Sequence, residues 1–272
     1  MRIAVIVRQI NDYIYPEILN GLQNEIYKNG YTMLLYSTDN HVDKERRSLL
    51  ECMKQGVDGI IVEGTRSARP NPSLDLYSKI QKMGIPLVFI DTYYDGMQEP
   101  VCVGMDDYNG TVRLTKYLQD KGRRRIAGFF KDDTKVGHIR YKAFVDQEIA
   151  FGNVIEDSST FWYATENQEQ IIESIPISVI KNFDAAICYN DLIADRLVRK
   201  ALNNGIRVPQ DLAVVSFDNS ILSETAPVKV TTMNHPKQEM GRIAAEKLIN
   251  IINNVPEKSV QIVWDLIEKE SC

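Results

Sequence analysis

Several apolar runs of this sequence end on a residue able to hydrogen-bond. PLVFID ends on Asp91, AAICYND on Asn190 and Asp191, and VVSFDN on Asp218 and Asn219; RIAGFF is followed by Lys131, Asp132 and Asp133. Carboxylates accept hydrogen bonds, and amides both donate and accept, so such a set suits the adjacent hydroxyls of a neutral polyol. Each residue also has a plain structural use. Asn190 or Asp191 can cap a following helix, and Asp91 and Asp218 can serve as turn residues. Several such groups at the same kind of place carry more weight than any one of them. Arg140 lies near the start of a helical stretch and is a rigid fork of donors. Facing the same place, it would hold ring and hydroxyl oxygens while Asp91 or Asp218 balances its charge; facing water, it is a solvated helix arginine. Tyr13 and Tyr15, beyond the first apolar run, and Trp162 and Tyr163 further on, offer flat faces to a sugar's C–H groups or else belong to the core. The triplet Arg123-Arg124-Arg125 suits a solvated turn better than a phosphate site.

Other chemistry is missing. No G-x-G-x-x-G follows the first apolar run, where Arg8-Gln9-Ile10-Asn11 stands instead, and no P-loop, G-x-S-x-G or H-E-x-x-H occurs. His41, His138 and His235 are far apart, and Cys52, Cys102, Cys188 and Cys272 form no C-x-x-C pair. The expectation is therefore a chain with no catalytic role, no metal, no cofactor and no disulfide frame. Its 272 residues carry a net charge of -5, which argues against gripping a phosphate backbone directly. No apolar run approaches the ~20 residues of a membrane span. The opening MRIAVIVRQ is too short in apolar residues for a secretory core. A cytoplasmic chain without a membrane partner is expected.

The elements that must position these residues follow from hydrophobic patterning. IAVIV (3–7), TMLLYS, GIIVE, PLVFID, RIAGFF, AAICY and LAVVSF read as strands, with a short VTTM and a last strand near 260–266. Helices are expected at 15–29, 43–55, 73–83, 109–121, 136–149, 166–174, 191–204 and 237–253, with a polar stretch at 153–165. Strands that are apolar throughout, joined by helices, belong to parallel sheets covered on both faces. DGIIVE at 58–63 is echoed by DAAICY at 184–189. The run ending at Asp91 is echoed by the run ending at Asp218, and the strand at 3–7 by that at 126–130. All three pairs are separated by about 125 residues, the mark of two similar α/β units in tandem. In open parallel sheets ligands sit beyond the carboxyl ends of the strands, where the polar residues above fall.

Four longer stretches are similar to a known family: NDYIYPEILNGL, YSTDNHVDKERRSLLECMKQGVDGIIVEGTRSA, CYNDLIADRLVRKALNNGIRVPQDLAVVSFDNS and VTTMNHPKQEMGRIAAEKLI. Together they resemble the effector-binding core of the LacI/GalR regulators over nearly the whole chain, its arabinose-responsive branch in Gram-positive bacteria above all. The resemblance implies an α/β fold of the periplasmic-binding-protein-like type I: two Rossmann-like doubly wound parallel-sheet lobes joined by three crossovers. An N-terminal lobe of 1–105 plus 235–256 and a C-terminal lobe of 106–234 plus 257–272 are expected. The ligand implied is a sugar held in the cleft between lobes, with L-arabinose favoured, and its binding would relieve repression allosterically. Ligand roles are implied for Asp91, Arg140, Asn190 and Asp218. His235 falls where the crossover brings a polar side chain to the pocket, and Tyr15 matches an aromatic position. Lys131 and Asp132 look like a subfamily pair, and Tyr13 joins Tyr15 as a candidate wall. Where the family has R-x-x-G this chain has Arg140-Tyr-Lys-Ala143. Family members carry a DNA-binding headpiece that is missing before Ile3, so DNA would be met only through such a segment. The resemblance further implies a homodimer. A transport-type sugar-binding protein of the same fold is the alternative.

Overall fold

The computed structural model describes residues 1–98, 100–154 and 156–272. In chain order the elements are β1 (Arg2–Val7), α1 (Tyr15–Lys28), β2 (Thr32–Ser37), α2 (Val42–Gln55), β3 (Gly59–Glu63), α3 (Leu74–Lys82), β4 (Leu87–Ile90) and β5 (Val101–Met105). Next come α4 (Asp107–Asp120), β6 (Ile126–Lys131), α5 (Lys135–Phe151), β7 (Thr160–Tyr163), α6 (Ile171–Ser174), α7 (Ile177–Ile180), β8 (Ala185–Cys188) and α8 (Asp191–Asn203). The last are β9 (Ala213–Asp218), α9 (Ile221–Thr225), β10 (Thr231–Asn234), α10 (Lys237–Ile252), β11 (Val260–Ile262) and β12 (Asp265–Ile267).

The chain forms two compact units, Met1–Met105 with Pro236–Ile262, and Asp106–His235 with Val263–Cys272. It passes from one to the other after Met105, His235 and Ile262. The first unit holds a sheet of order β11-β5-β4-β3-β1-β2, and the second a sheet of order β12-β10-β9-β8-β6-β7. The two orders correspond strand for strand, and β1, β3 and β4 stand to the first sheet as β6, β8 and β9 to the second. Ladders are parallel except β10 with β12. Every residue of β3, β4, β6, β8 and β9 is buried, as parallel strands covered on both faces require.

In the first unit the helix nearest the start of the sequence meets one from near its end. A Cβ on Gly21 of α1 would lie 2.0 Å from the Gln238 carbonyl oxygen, and one on Gly241 of α10 would lie 2.1 Å from that of Ile18. Two glycines thus let α1 and α10 touch backbone to backbone. In the second unit Trp264 is fully buried against α4, where a Cβ on Gly110 would lie 2.3 Å from its ring. Arg113 of α4 donates to the Trp264 carbonyl at 2.7 Å.

Three sequence expectations need correction. The polar stretch at 153–165 contains a strand, β7, whose TFWY lies at a sheet edge and is only partly buried; residue 155 of that stretch is outside the described residues. The helix expected at 166–174 shrinks from its start to Ile171–Ser174, because Thr165–Asn167 form a 3-10 turn, Thr165 being tied to Asp133 through its backbone N–H and its hydroxyl and Asn167 accepting from the Ala164 N–H. The single last strand is two short ones, with β11 parallel to β5 and β12 antiparallel to β10.

Candidate functional site

In the second unit the polar groups collect beyond the carboxyl ends of β6, β8, β9 and β10. Arg140, on the second turn of α5, is at their centre and only 4% exposed. Its Nε donates to Asp107 Oδ1 at 2.9 Å, and its Nη2 lies 2.8 Å from the same oxygen. Its Nη1 donates to the Tyr189 carbonyl. The guanidinium carbon stands 3.9 Å from the centroid of the Phe217 ring, a cation–π contact in a dry place. Asp218, Tyr189 and above all Asp107 raise the arginine pKa against the pull of burial, so the fork stays charged. Burial pushes the Asp107 carboxyl up while Arg140 draws it down. The counter-charge in direct contact with Arg140 is therefore Asp107, with Asp218 adding to the field that favours the charged fork. Asp107 opens α4 next to the cap Asp106, and its local sequence gives no sign of a partner on α5.

The other candidates of this unit border the same group. Asn190 caps α8, accepting from the Ile193 N–H at 3.1 Å through Oδ1, so the capping reading holds and the amide NH2 remains a donor. Asp218 ends β9 with a left-handed backbone (φ 107°) and is nearly buried. Its carbonyl accepts from the His235 N–H at 3.4 Å. His235 follows β10, its ring edge-on to Trp264 at 5.5 Å. Lys131 ends β6, buried, in register with Tyr163. Asp132 is tied by its main chain, to the Tyr163 carbonyl at 2.8 Å and to the His138 ring at 2.8 Å. Two strand-end residues turn inward instead. Asp133 accepts from Thr165, and Asp191 is fully buried among Ser216, Ser220 and Thr232. Trp162 packs with Tyr141 and His138. Its neighbour Tyr163 points the other way, edge-on to Tyr189.

The first unit has its own cluster beyond β1, β3 and β4. Arg8 follows β1, its Nε donating to Glu63 Oε1 and its backbone N–H to Glu63 Oε2 at 3.0 Å. The Tyr15 hydroxyl donates to Glu63 and accepts from Arg8 at 3.1 Å. Burial pushes the Tyr15 hydroxyl well above its ordinary range, Arg8 opposing. Asp91, again left-handed (φ 64°), brings Oδ2 to 3.8 Å from Arg8. Tyr15 is buried with its hydroxyl in a charged network and is not an open wall; Tyr13 is half-buried in the turn before α1. Arg8 and Glu63 were not singled out in the sequence. Their signal was the same as that of Asp91, a polar residue closing an apolar run. Among the described residues no group of three or more His, Cys, Asp or Glu is placed to hold a metal.

Two doubly wound units of one strand order, each with an arginine–carboxylate pair beyond its strand ends, define the periplasmic-binding-protein-like fold. A family model described as periplasmic binding protein-like domain matches residues 115–272. An arabinose metabolism transcriptional repressor of Halalkalibacterium halodurans is 37% identical, over 92% of this chain and 68% of its own length. That of Geobacillus stearothermophilus is 35% identical, over 97% and 73%. A LacI-type regulator of Alkaliphilus metalliredigens, complexed with D-xylulofuranose, superposes with a TM-score of 0.86 at 26% identity, covering 99% of this chain and 98% of that one. The chain belongs to the LacI/GalR family of transcriptional regulators, as an effector-binding domain of the arabinose-repressor type.

Proposed function

We propose that this domain senses L-arabinose or a similar pentose and performs no chemistry. What carries the reading is the buried, anchored Arg140 fork among Asn190, Asp218 and His235 in a chain 37% identical to an arabinose repressor. Asp107 and Tyr189 fix the fork before any ligand arrives, so little ordering cost falls on binding. The Asn190 amide, the Asp218 carboxylate, Lys131, Asp132 and His235 are the hydroxyl partners in the second unit. In the first unit Asp91 and Tyr13, with the Arg8, Glu63 and Tyr15 network, form a second polar set beyond strand ends. Binding favours one of two conformations of the chain by its differential affinity for them, and so relieves repression by the attached DNA-binding segment. The working molecule is a cytoplasmic homodimer that meets DNA through that segment alone.

Calorimetry and thermal melting with L-arabinose, D-xylose, ribitol and D-glucose test the assignment. L-Arabinose is expected to release heat and raise the melting temperature most. Silence with L-arabinose and a response to another of the four would replace the effector; silence with all four would sink the sugar-sensing role.

A further inference from the structure

Asp191 stands beside the candidate site but faces away from it. Its side chain is fully buried, and each oxygen accepts two hydrogen bonds from the neighbouring strands and loop. Oδ1 takes the hydroxyls of Ser216 on β9 and Thr232 on β10, the latter at 2.9 Å. Oδ2 takes the Ser220 N–H at 2.7 Å and the Ser220 hydroxyl at 2.8 Å. Burial pushes this carboxyl up, and the hydrogen bonds from Ser216, Ser220 and Thr232 oppose it.

The groups it holds bracket the most unusual backbone of the unit. Asp218 and Asn219 both have positive φ, 107° and 47°. Non-glycine residues avoid that region unless their surroundings over-determine it. Ser216 lies just before this pair and Ser220 just after it. Thr232, besides donating to Asp191, accepts from the Asn219 N–H at 3.2 Å. One carboxylate thus fixes the strand before the turn, the helix start after it and, through a hydroxyl, the turn itself.

We propose that Asp191 is the positioning residue that holds the Asp218–Asn219 turn in its left-handed form and so aims the Asp218 carboxylate at the effector. The proposal rests on the sugar-binding reading only for its effect on affinity. The atoms involved also decide which replacement is tolerated. Both partners of Oδ1 are hydroxyls, which can donate or accept. Of the two partners of Oδ2, the Ser220 N–H can only donate. An asparagine fits this cage if its NH2 takes the Oδ1 place and its carbonyl the Oδ2 place, the two hydroxyls reversing direction. Alanine offers nothing to either side.

The test uses the whole chain, its D191N and D191A variants, L-arabinose as the probe, and amide hydrogen exchange. D191A is expected to weaken affinity at least about tenfold, the scale of one lost charged hydrogen bond, with D191N within about threefold of the parent. In D191A the Asn219 and Ser220 amides should exchange faster while those of β6 and β8 stay protected, and D191N should restore them. Equal losses of affinity in the two variants, or unchanged protection at Asn219 and Ser220 in D191A, would overturn the proposal. If the parent does not bind L-arabinose the effector assignment is wrong, but the exchange measurement still decides the role of Asp191.

Discussion

Arg140 and Asp107 show what a buried charge costs and what keeps it in place. Both side chains are 5% exposed. Removing one member of such a pair leaves the other buried without a counter-charge, at about 3–5 kcal/mol, whereas replacing both with apolar groups is often close to neutral. Arg140→Ala should therefore lower stability to denaturant by that amount, and an Arg140→Met, Asp107→Leu double variant should recover most of it. If Arg140 also holds the effector, the double variant stays blind to L-arabinose although it is stable. Recovery of both would confine Arg140 to a structural part. The strand-end positions of Asn190, Asp218 and Asp91, and the place of Arg140 near a helix start, were legible in the sequence. Their partners were not. Asp107 reaches Arg140 from another helix, and Glu63 reaches Arg8 from another strand, so no local spacing records either pair. Asp191 looked like a strand-end ligand, but its surroundings on β9 and β10 turn it inward.

Among the elements, those buried on both faces were plain in the sequence because their runs are apolar throughout. Errors gathered at the edges. β7 has a single fully buried residue, and its period is too weak to stand out among polar neighbours. β11 and β12 are three residues each and take their identity from β5 and β10, far back in the chain. The crossing of α1 with α10 shows how far such distant pairing is fixed by residue size. A methyl at Gly241 would run into the Ile18 carbonyl, which is main chain and cannot turn aside. Gly241→Ala should therefore destabilise the first unit by about 1–3 kcal/mol, the range of overpacking. Thermal melting checks this; an unchanged midpoint would mean that the helices part without loss.

For the whole molecule, the cysteines report on the units separately. Cys52 and Cys102 lie in the first, Cys188 and Cys272 in the second, and the first three are buried. Burial pushes the Cys52 thiol up to about 12 and that of Cys188 higher still, so little thiolate exists near neutral pH. An alkylating reagent at mildly alkaline pH should modify Cys272 first and reach the other three only as denaturant opens their units. Mass spectrometry of the labelled peptides would read this order, and early labelling of Cys52 would show the first unit to be looser than its packing implies. The parallel α/β class and the tandem echo of three strands were readable from the recurring apolar runs, whereas the strand orders emerge only in the folded sheets.

The interleaving of the units has a bearing on how the protein is made. A ribosome delivers residues 1–105 well before α10, yet α10 covers the first sheet at Gly59, where Leu248 and Ile252 close in. The early strands therefore lack part of the cover on one apolar face until α10 has been made, after residues 106–235. The second unit waits in turn for Trp264 and the strand that follows it. Each unit is therefore completed only once the stretch from α10 to β12 has been made, so neither sheet closes on its early strands alone.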